Sequence, residues 1–129
     1  MEDYQKFFEK NPNGVLGTVD KGMARTRTFQ ILWVDDNRLY FCTGNHKPVY
    51  GQMKENPYVS FTAFNPETFE SVSVCGKEVF IDDLEMKTRA LDENPGIKNI
   101  YKTADNPIFE LLYVEVTDVS SFIFSGGKR

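Results

Sequence analysis

Two short segments carry side chains that could together hold a doubly charged anion. Arg25 and Arg27 lie two positions apart, so on a strand both guanidinium groups project from one face. The segment Thr43-Gly44-Asn45-His46-Lys47 brings hydroxyl, amide, imidazole and ammonium groups directly before Pro48, which suits the first position of a helix. Free backbone N–H groups at such a helix start attract anions. We therefore predict a site for a phosphate-bearing ligand, with Lys47 as a point charge.

The predicted arginine strand also carries apolar side chains at the same parity. These are Met23, Phe29, Ile31 and Trp33. A face with cations at one end and aromatic rings further along fits a ligand that has a phosphate at one end and a ring at the other.

Each of these features also has a simpler interpretation. The two arginines could be solvated at a strand end, because most charged side chains lie at the surface. Thr43 or Asn45 could cap the helix while Lys47 points into solvent.

No catalytic or metal-binding pattern accompanies these residues. His46 is the only histidine and has no acidic or nucleophilic partner near it in sequence, so we interpret it as a loop residue or a ligand contact. Cys42 and Cys75 fall in separate predicted strands without a CxxC pair, which argues against zinc and against a disulfide framework. Neither a Walker A nor a GxGxxG motif is present.

Composition limits the function classes further. The length of 129 residues indicates a single domain, residues 1–129. A net charge of -4 disfavours a general nucleic-acid binder. The charged N-terminal segment is unlike a signal peptide, and no apolar run approaches the length of a membrane span. We expect a cytoplasmic protein that contacts neither nucleic acid nor membrane.

The elements that must position the site are mainly short strands. Strands are predicted over 14–19, 23–34, 38–43, 58–64, 69–81 with a bulge at Gly76, and 109–125 as one strand or a pair. Helices are predicted over 2–10 and 48–56, and a third is predicted to start at Asp82 with Glu85 as a capping box and with Leu84 and Leu91 facing the core. Tight turns between neighbours predict antiparallel pairing, and about six strands favour a barrel or closed sheet.

The chain resembles the pyridoxamine 5'-phosphate oxidase-like family of FMN-binding split barrels, and is more similar to its small clostridial-type members than to the true oxidase. The matching segments are NPNGVLGTVDKGMARTRTF, LYFCTGNHKPVYGQMKENPYVSF, VSVCGKEVF and NPIFELLYVEV. The resemblance implies a six-stranded antiparallel split β-barrel of Greek-key type. It also implies a homodimer with FMN between the subunits.

The resemblance assigns roles to individual residues. Arg25 or Arg27 and Lys47 would bind the FMN phosphate, and Thr43 and Asn45 would supply hydroxyl and amide contacts. Gln30 stands where the true oxidase has a basic residue near the flavin. His46 and Phe124 complete the predicted cofactor-binding set. Ser71 replaces a glutamine of the true oxidase, and the sequence after Phe124 lacks its Arg/His-containing tail, so pyridoxamine phosphate oxidation is not expected.

Four functional hypotheses remain at this point. The first is an FMN-dependent oxidoreductase of unassigned substrate that takes electrons from a donor such as NAD(P)H. The second is a non-catalytic flavin binder or electron carrier. The third is a relative that uses a deazaflavin or haem, with His46 as the candidate axial ligand. The last is a small interaction module without a cofactor.

Overall fold

The computed structural model of the protein describes residues 4–123, which form one antiparallel sheet and short helices. The elements are α1 (Tyr4–Lys10), β1 (Asn13–Asp20), β2 (Met23–Gln30), β3 (Trp33–Asp35), β4 (Arg38–Gly44), α2 (Pro48–Glu55), β5 (Tyr58–Asn65), β6 (Glu70–Ile81), α3 (Leu84–Glu93), α4 (Pro95–Tyr101) and β7 (Phe109–Ile123). The seven strands follow one another in the order β2-β1-β5-β6-β7-β4-β3. The predicted mainly β, antiparallel architecture is confirmed.

Tight turns explain why neighbours in the chain pair antiparallel. Lys21 and Gly22 join β1 to β2 with φ of 52° and 81°. Two positive φ values in a two-residue loop are typical of a type I′ turn, whose twist matches that of the strands it joins. Asp36 has a φ of 56° between β3 and β4, which places another left-handed residue at a hairpin.

The two edge strands of the sheet, β2 and β3, are consecutive in the chain. Only Ile31 and Leu32 separate them, so the sheet must curve until its edges approach each other. The Ile31 N–H donates to Pro12 O at 2.8 Å and the Leu32 N–H donates to Tyr40 O at 2.7 Å. Within residues 4–123 no ladder joins β2 to β3, so the barrel stays open along this line. This is the expected split barrel.

The prediction of one strand over 23–34 was wrong, and the sheet therefore has seven strands rather than six. The chain leaves the β1 ladder after Gln30 and joins the β4 ladder at Trp33. Ile31 turns into the barrel interior and is 4% exposed, whereas Trp33 stacks on Tyr40 on the other side of the sheet at 4.8 Å. The predicted continuous face of arginines and aromatics therefore ends at Phe29.

Two apolar clusters bury the inner face of the sheet and part of its outer face. The barrel interior is filled from β1, β4, β5, β6 and β7, and α2 closes it with Val49 and Met53. A second cluster lies under α3 and α4, where Leu91 and Tyr101 pack on Leu111. Because β4 has a cluster on each side, its residues are buried with little alternation.

Two details of the helices and strands correct the sequence interpretation. Asp83, not Asp82, caps α3, and its carboxylate accepts the Met86 N–H at 3.1 Å. Leu84 is the first residue of the helix and is 61% exposed, whereas Leu91 is 3% exposed, so only Leu91 faces the core. The bulge at Gly76 is confirmed by a register shift between Cys75 and Gly76.

Candidate functional site

Arg27 is fixed by neutral hydrogen-bond acceptors from two elements. Its Nη1 donates to the Thr18 hydroxyl at 2.8 Å and to Leu16 O at 3.2 Å on the neighbouring strand β1. Its Nη2 donates to Gln52 Oε1 of α2 at 2.7 Å. The Thr18 hydroxyl donates to the same Gln52 oxygen at 2.7 Å. Strand β1 and helix α2 thus hold the guanidinium in one orientation.

The charge of Arg27 has no counter-ion among the described residues. None of its acceptors is a carboxylate, and within residues 4–123 it makes no ion pair. Partial burial, and then the nearby charge of Arg25, lower the pKa of Arg27, although an arginine remains protonated. Arg25 itself pairs with Asp20 at 3.6 Å through a half-exposed side chain. Of these two neighbouring guanidinium groups only Arg25 has a carboxylate partner within residues 4–123, which favours an anion beside Arg27.

The loop before α2 is tied to the start of β7 by Asn45. The Asn45 N–H donates to Ile108 O at 2.9 Å. Its side-chain Nδ2 donates to Pro107 O at 2.7 Å and to Glu110 Oε2 at 2.8 Å. These bonds occupy the donors of Asn45, so its role in this structure is to position the loop.

The remaining predicted loop residues differ in burial. Thr43 is 2% exposed, and its hydroxyl has no hydrogen-bond partner within the described part of the chain. Lys47 is exposed in an extended conformation at the N-cap of α2 and makes no side-chain cap. The Lys47 ammonium and the first turn of α2 therefore remain accessible to an anion.

His46 packs against a glycine that has no room for a side chain. A Cβ on Gly44 would lie 2.5 Å from His46 Cε1 and 3.1 Å from Tyr101 Oη. The imidazole is otherwise exposed. Across residues 4–123 no group of three or more His, Cys, Asp or Glu side chains is arranged to hold a metal ion.

The structure brings some of the predicted residues together and separates others. Arg25 and Arg27 are neighbours, and Gln52 connects Arg27 to the helix that Lys47 precedes. Lys47 is five residues before Gln52, about 7.5 Å along the helix axis. Phe124 lies outside the described residues.

Gln52 and Thr18 were missed by sequence reasoning, although each left a signal. Thr18 has the parity of the core residue Leu16 on β1, so a polar side chain points inward and requires a partner. Gln52 directly precedes the buried Met53 and is half-buried itself. Polar residues at inward-facing positions were therefore the sequence signal that could have predicted partners for an arginine.

A groove of about 570 Å³ lies on the outer side of the sheet near the end of β2. It is lined by Asn13, Gly14, Val15, Thr28, Phe29, Gln30, Thr62, Ala63 and Phe64. Gln30 is the predicted flavin-contacting residue in this groove. It lies three positions beyond Arg27, about 10 Å along the strand, and the two side chains project from opposite faces. Because β2 is an edge strand, a ligand that passes over its free edge can reach both.

None of the helices within residues 4–123 combines the length and apolar character needed to cross a membrane. The helices are short and carry charged residues on their exposed sides.

Comparison with known proteins gives a family match over most of the chain. The family model described as pyridoxamine 5'-phosphate oxidase matches residues 1–122. A search of curated proteins finds no match.

Several solved structures share the fold. A NimC/NimA family protein from Clostridium acetobutylicum is 25% identical, with a TM-score of 0.77 over 92% of this chain and 88% of that chain. An F420 reductase is 21% identical, with a TM-score of 0.73 over 93% of this chain and 98% of that chain. A FAD-binding protein from Mesorhizobium loti is 19% identical, with a TM-score of 0.71 over 93% of this chain and 91% of that chain.

Proposed function

We propose that this chain, which belongs to the pyridoxamine 5'-phosphate oxidase family, is an FMN-binding oxidoreductase. It would take electrons from a reduced donor such as NAD(P)H and pass them to an acceptor that remains to be identified. The FAD-binding protein and the F420 reductase of the same fold support a redox role with a flavin-type cofactor.

The observation that carries this proposal is the uncompensated charge of Arg27. A guanidinium held by neutral acceptors keeps its charge available, and a phosphate can pair with it through two parallel N–H···O contacts. Arg25 adds a second cation next to it, and Lys47 adds a third charge at the start of the helix that Gln52 joins to Arg27. The residues present therefore fit the phosphate of FMN.

The groove beside Gln30 fits the ring of the same molecule. Its volume is in the range of small-molecule sites, and its lining is apolar apart from a few hydroxyl and amide groups. Gln30 has no side-chain hydrogen bond within residues 4–123, so its amide is free to bond to a flavin heteroatom. The flavin would supply the redox chemistry, and the protein would bind and orient it.

A homodimer is the second part of the proposal. The outer face of β2, β1, β5 and β6 carries uncharged side chains in register. One row contains Thr28, Val15, Thr62 and Ser73, and the next contains Thr26, Gly17, Ser60 and Cys75. Phe64 is 51% exposed beside the same face. The first of these rows, apart from Ser73, also lines the groove. Self-association through this uncharged, partly apolar surface would therefore also cover the ligand.

The absorption spectrum of the freshly purified protein tests the cofactor assignment. We expect a flavin spectrum, or its appearance after incubation with FMN and removal of the excess by gel filtration. The bound pigment should be released by denaturation and should co-migrate with FMN. A colourless protein that does not retain added FMN would contradict the proposal.

A further inference from the structure

A second cavity of about 360 Å³ adjoins the groove and shares Gln30 with it. It lies where the barrel is split, between α1, the link from β2 to β3, and α3. Its apolar wall includes Ile31 and Trp33, and its polar groups come from Gln30, Arg89, Asn94 and Glu9. Apart from Gln30, none of the residues used in the cofactor proposal lines this cavity.

Arg89 presents unused donors to the cavity. Its guanidinium lies over the Trp33 ring at 3.9 Å, and its Nε donates to Glu93 at 2.9 Å. Within residues 4–123, no other group accepts a hydrogen bond from Arg89. A guanidinium stacked on an indole directs its remaining N–H groups outward in its own plane, so its terminal nitrogens can donate to a ligand.

Unused acceptors line the same cavity. Asn94 donates through Nδ2 to Ala90 O at 2.8 Å, which leaves its Oδ1 without a partner among the described residues. Glu9 is exposed and makes no ion pair within residues 4–123. The Gln30 amide can both donate and accept. Free donors and free acceptors therefore face one small space with an aromatic wall.

We infer that this cavity binds a planar aromatic ring that carries a primary carboxamide. Such a group offers one carbonyl acceptor to Arg89 and one NH2 donor to Asn94 or Glu9, so it satisfies both kinds of free group. A ring carboxylate would leave these acceptors facing an anion, and a ring amine would face the Arg89 cation. The nicotinamide head of NADH or NADPH has the required chemistry. Its role as the electron donor rests on the proposed function, because the neighbouring groove would hold the flavin.

Trp33 makes occupancy of the cavity directly measurable. It is the only tryptophan in the chain, so its emission reports this site alone. The full chain is titrated with nicotinamide, nicotinate and 3-(aminomethyl)pyridine while Trp33 emission is followed. We expect a saturable change with nicotinamide, and binding at least about tenfold weaker for the other two probes.

Two substitutions test whether nicotinamide affinity depends on a residue that lines the cavity or on a residue outside it. Arg89→Lys keeps the charge but loses the planar donors, so it should weaken nicotinamide binding by about tenfold. Glu93→Gln removes the negative charge beside Arg89 but keeps an acceptor for its Nε, and residue 93 does not line the cavity, so the affinity should be nearly unchanged. A purely linear quenching without saturation, equal binding of nicotinate, or unchanged affinity in Arg89→Lys would overturn the inference.

Flavin uptake by the same samples is followed by visible absorbance. Retention of FMN without saturable nicotinamide binding would reject this cavity assignment alone. Saturable nicotinamide binding by a protein that cannot retain FMN would instead support the cavity and contradict the cofactor proposal.

Discussion

Arg27 is the residue on which the proposed phosphate site depends most. The half-exposed Arg25 forms an ion pair with Asp20. Arg27 is held by Thr18 and Gln52, and no carboxylate within residues 4–123 pairs with it. A preorganised guanidinium loses little conformational entropy when an anion binds. The two arginines are therefore predicted to contribute unequally, although they are two positions apart.

Replacing each arginine by glutamine tests this inequality. Arg27→Gln should weaken FMN binding by about ten- to a hundredfold, the cost of a lost charge-assisted hydrogen bond. Arg25→Gln should have a smaller effect, because its charge is already partly neutralised and screened by solvent. Isothermal titration gives the affinities, and urea unfolding checks that both variants fold. Equal losses in the two variants would reject the special role of Arg27.

Glu78 gives a second prediction at the scale of one residue. It is 7% exposed, and its Oε2 has no hydrogen-bond partner within the described part of the chain. Burial raises the pKa of Glu78, and the charges of Lys54 and Lys77 oppose this in part. The folded state therefore retains the proton to higher pH than the unfolded state, and stability falls as pH rises through this range.

Glu78→Gln should remove this pH dependence. The variant and the parent should have similar unfolding free energies near pH 4, and the variant should gain relative stability as the pH rises toward 7. Urea unfolding at several pH values measures the difference. Glu67→Gln, at an exposed turn, is the matched control and should show no such trend. A difference that does not change with pH would mean that the charge of Glu78 is compensated in the folded protein.

At the scale of elements, the loop between β4 and α2 determines where Lys47 and the helix start are placed. Asn45 fixes this loop to Pro107 and Glu110, which are more than sixty positions away in sequence. Gly44 allows the His46 ring to lie against the backbone. These contacts make the loop a rigid part of the proposed site.

Asn45→Ala should therefore reduce both stability and ligand binding. The loss of two side-chain hydrogen bonds, one of them to a carboxylate, should cost about 1–3 kcal/mol of unfolding free energy. FMN affinity should also fall, because the start of α2 is then less well positioned. Asn13→Ala, at a residue without a side-chain hydrogen bond in residues 4–123, should leave the unfolding free energy nearly unchanged. Equal stability of the two variants would contradict the anchoring role.

The fold was predictable from sequence because its signals are local. Alternating apolar residues and tight turns identify most strands, and Gly76 identifies the bulge. The break at Ile31 was not predictable, because Phe29, Ile31 and Trp33 keep one parity while the chain changes ladders. The cap at Asp83 was missed because Asp82 offers the same side chain one residue earlier.

The site was predictable only in part for a different reason. Arg27 is recognisable from its spacing, but its partners Thr18 and Gln52 come from other elements. Likewise, no local pattern indicates that the donors of Asn45 are occupied by residues of a distant segment. Tertiary contacts decide which polar side chains remain free for a ligand.

At the scale of the whole molecule, the split barrel exposes an uncharged face that includes part of the groove lining. Exposed sheet surface that is neither charged nor covered favours association. The proposed dimer uses this face, on which Ser60 of β5 lies between Gly17 of β1 and Cys75 of β6.

Ser60→Lys should shift the protein from dimer to monomer, because each subunit would bring a buried positive charge into an uncharged interface. Light scattering after gel filtration measures the mass. Thr88→Lys, on the exposed side of α3, adds the same charge away from this face and should leave the mass unchanged. A dimeric Ser60→Lys variant, or a monomeric parent, would contradict the proposed interface.

The most direct test of the central claim compares FMN with riboflavin, which has the same ring but no phosphate. Quenching of flavin fluorescence by the purified protein gives both dissociation constants under identical conditions. FMN is expected to bind at least about a hundredfold more tightly, because only FMN can pair with Arg27, Arg25 and Lys47. Equal affinities for the two flavins, or no binding of either, would contradict the assignment of these residues as a phosphate site.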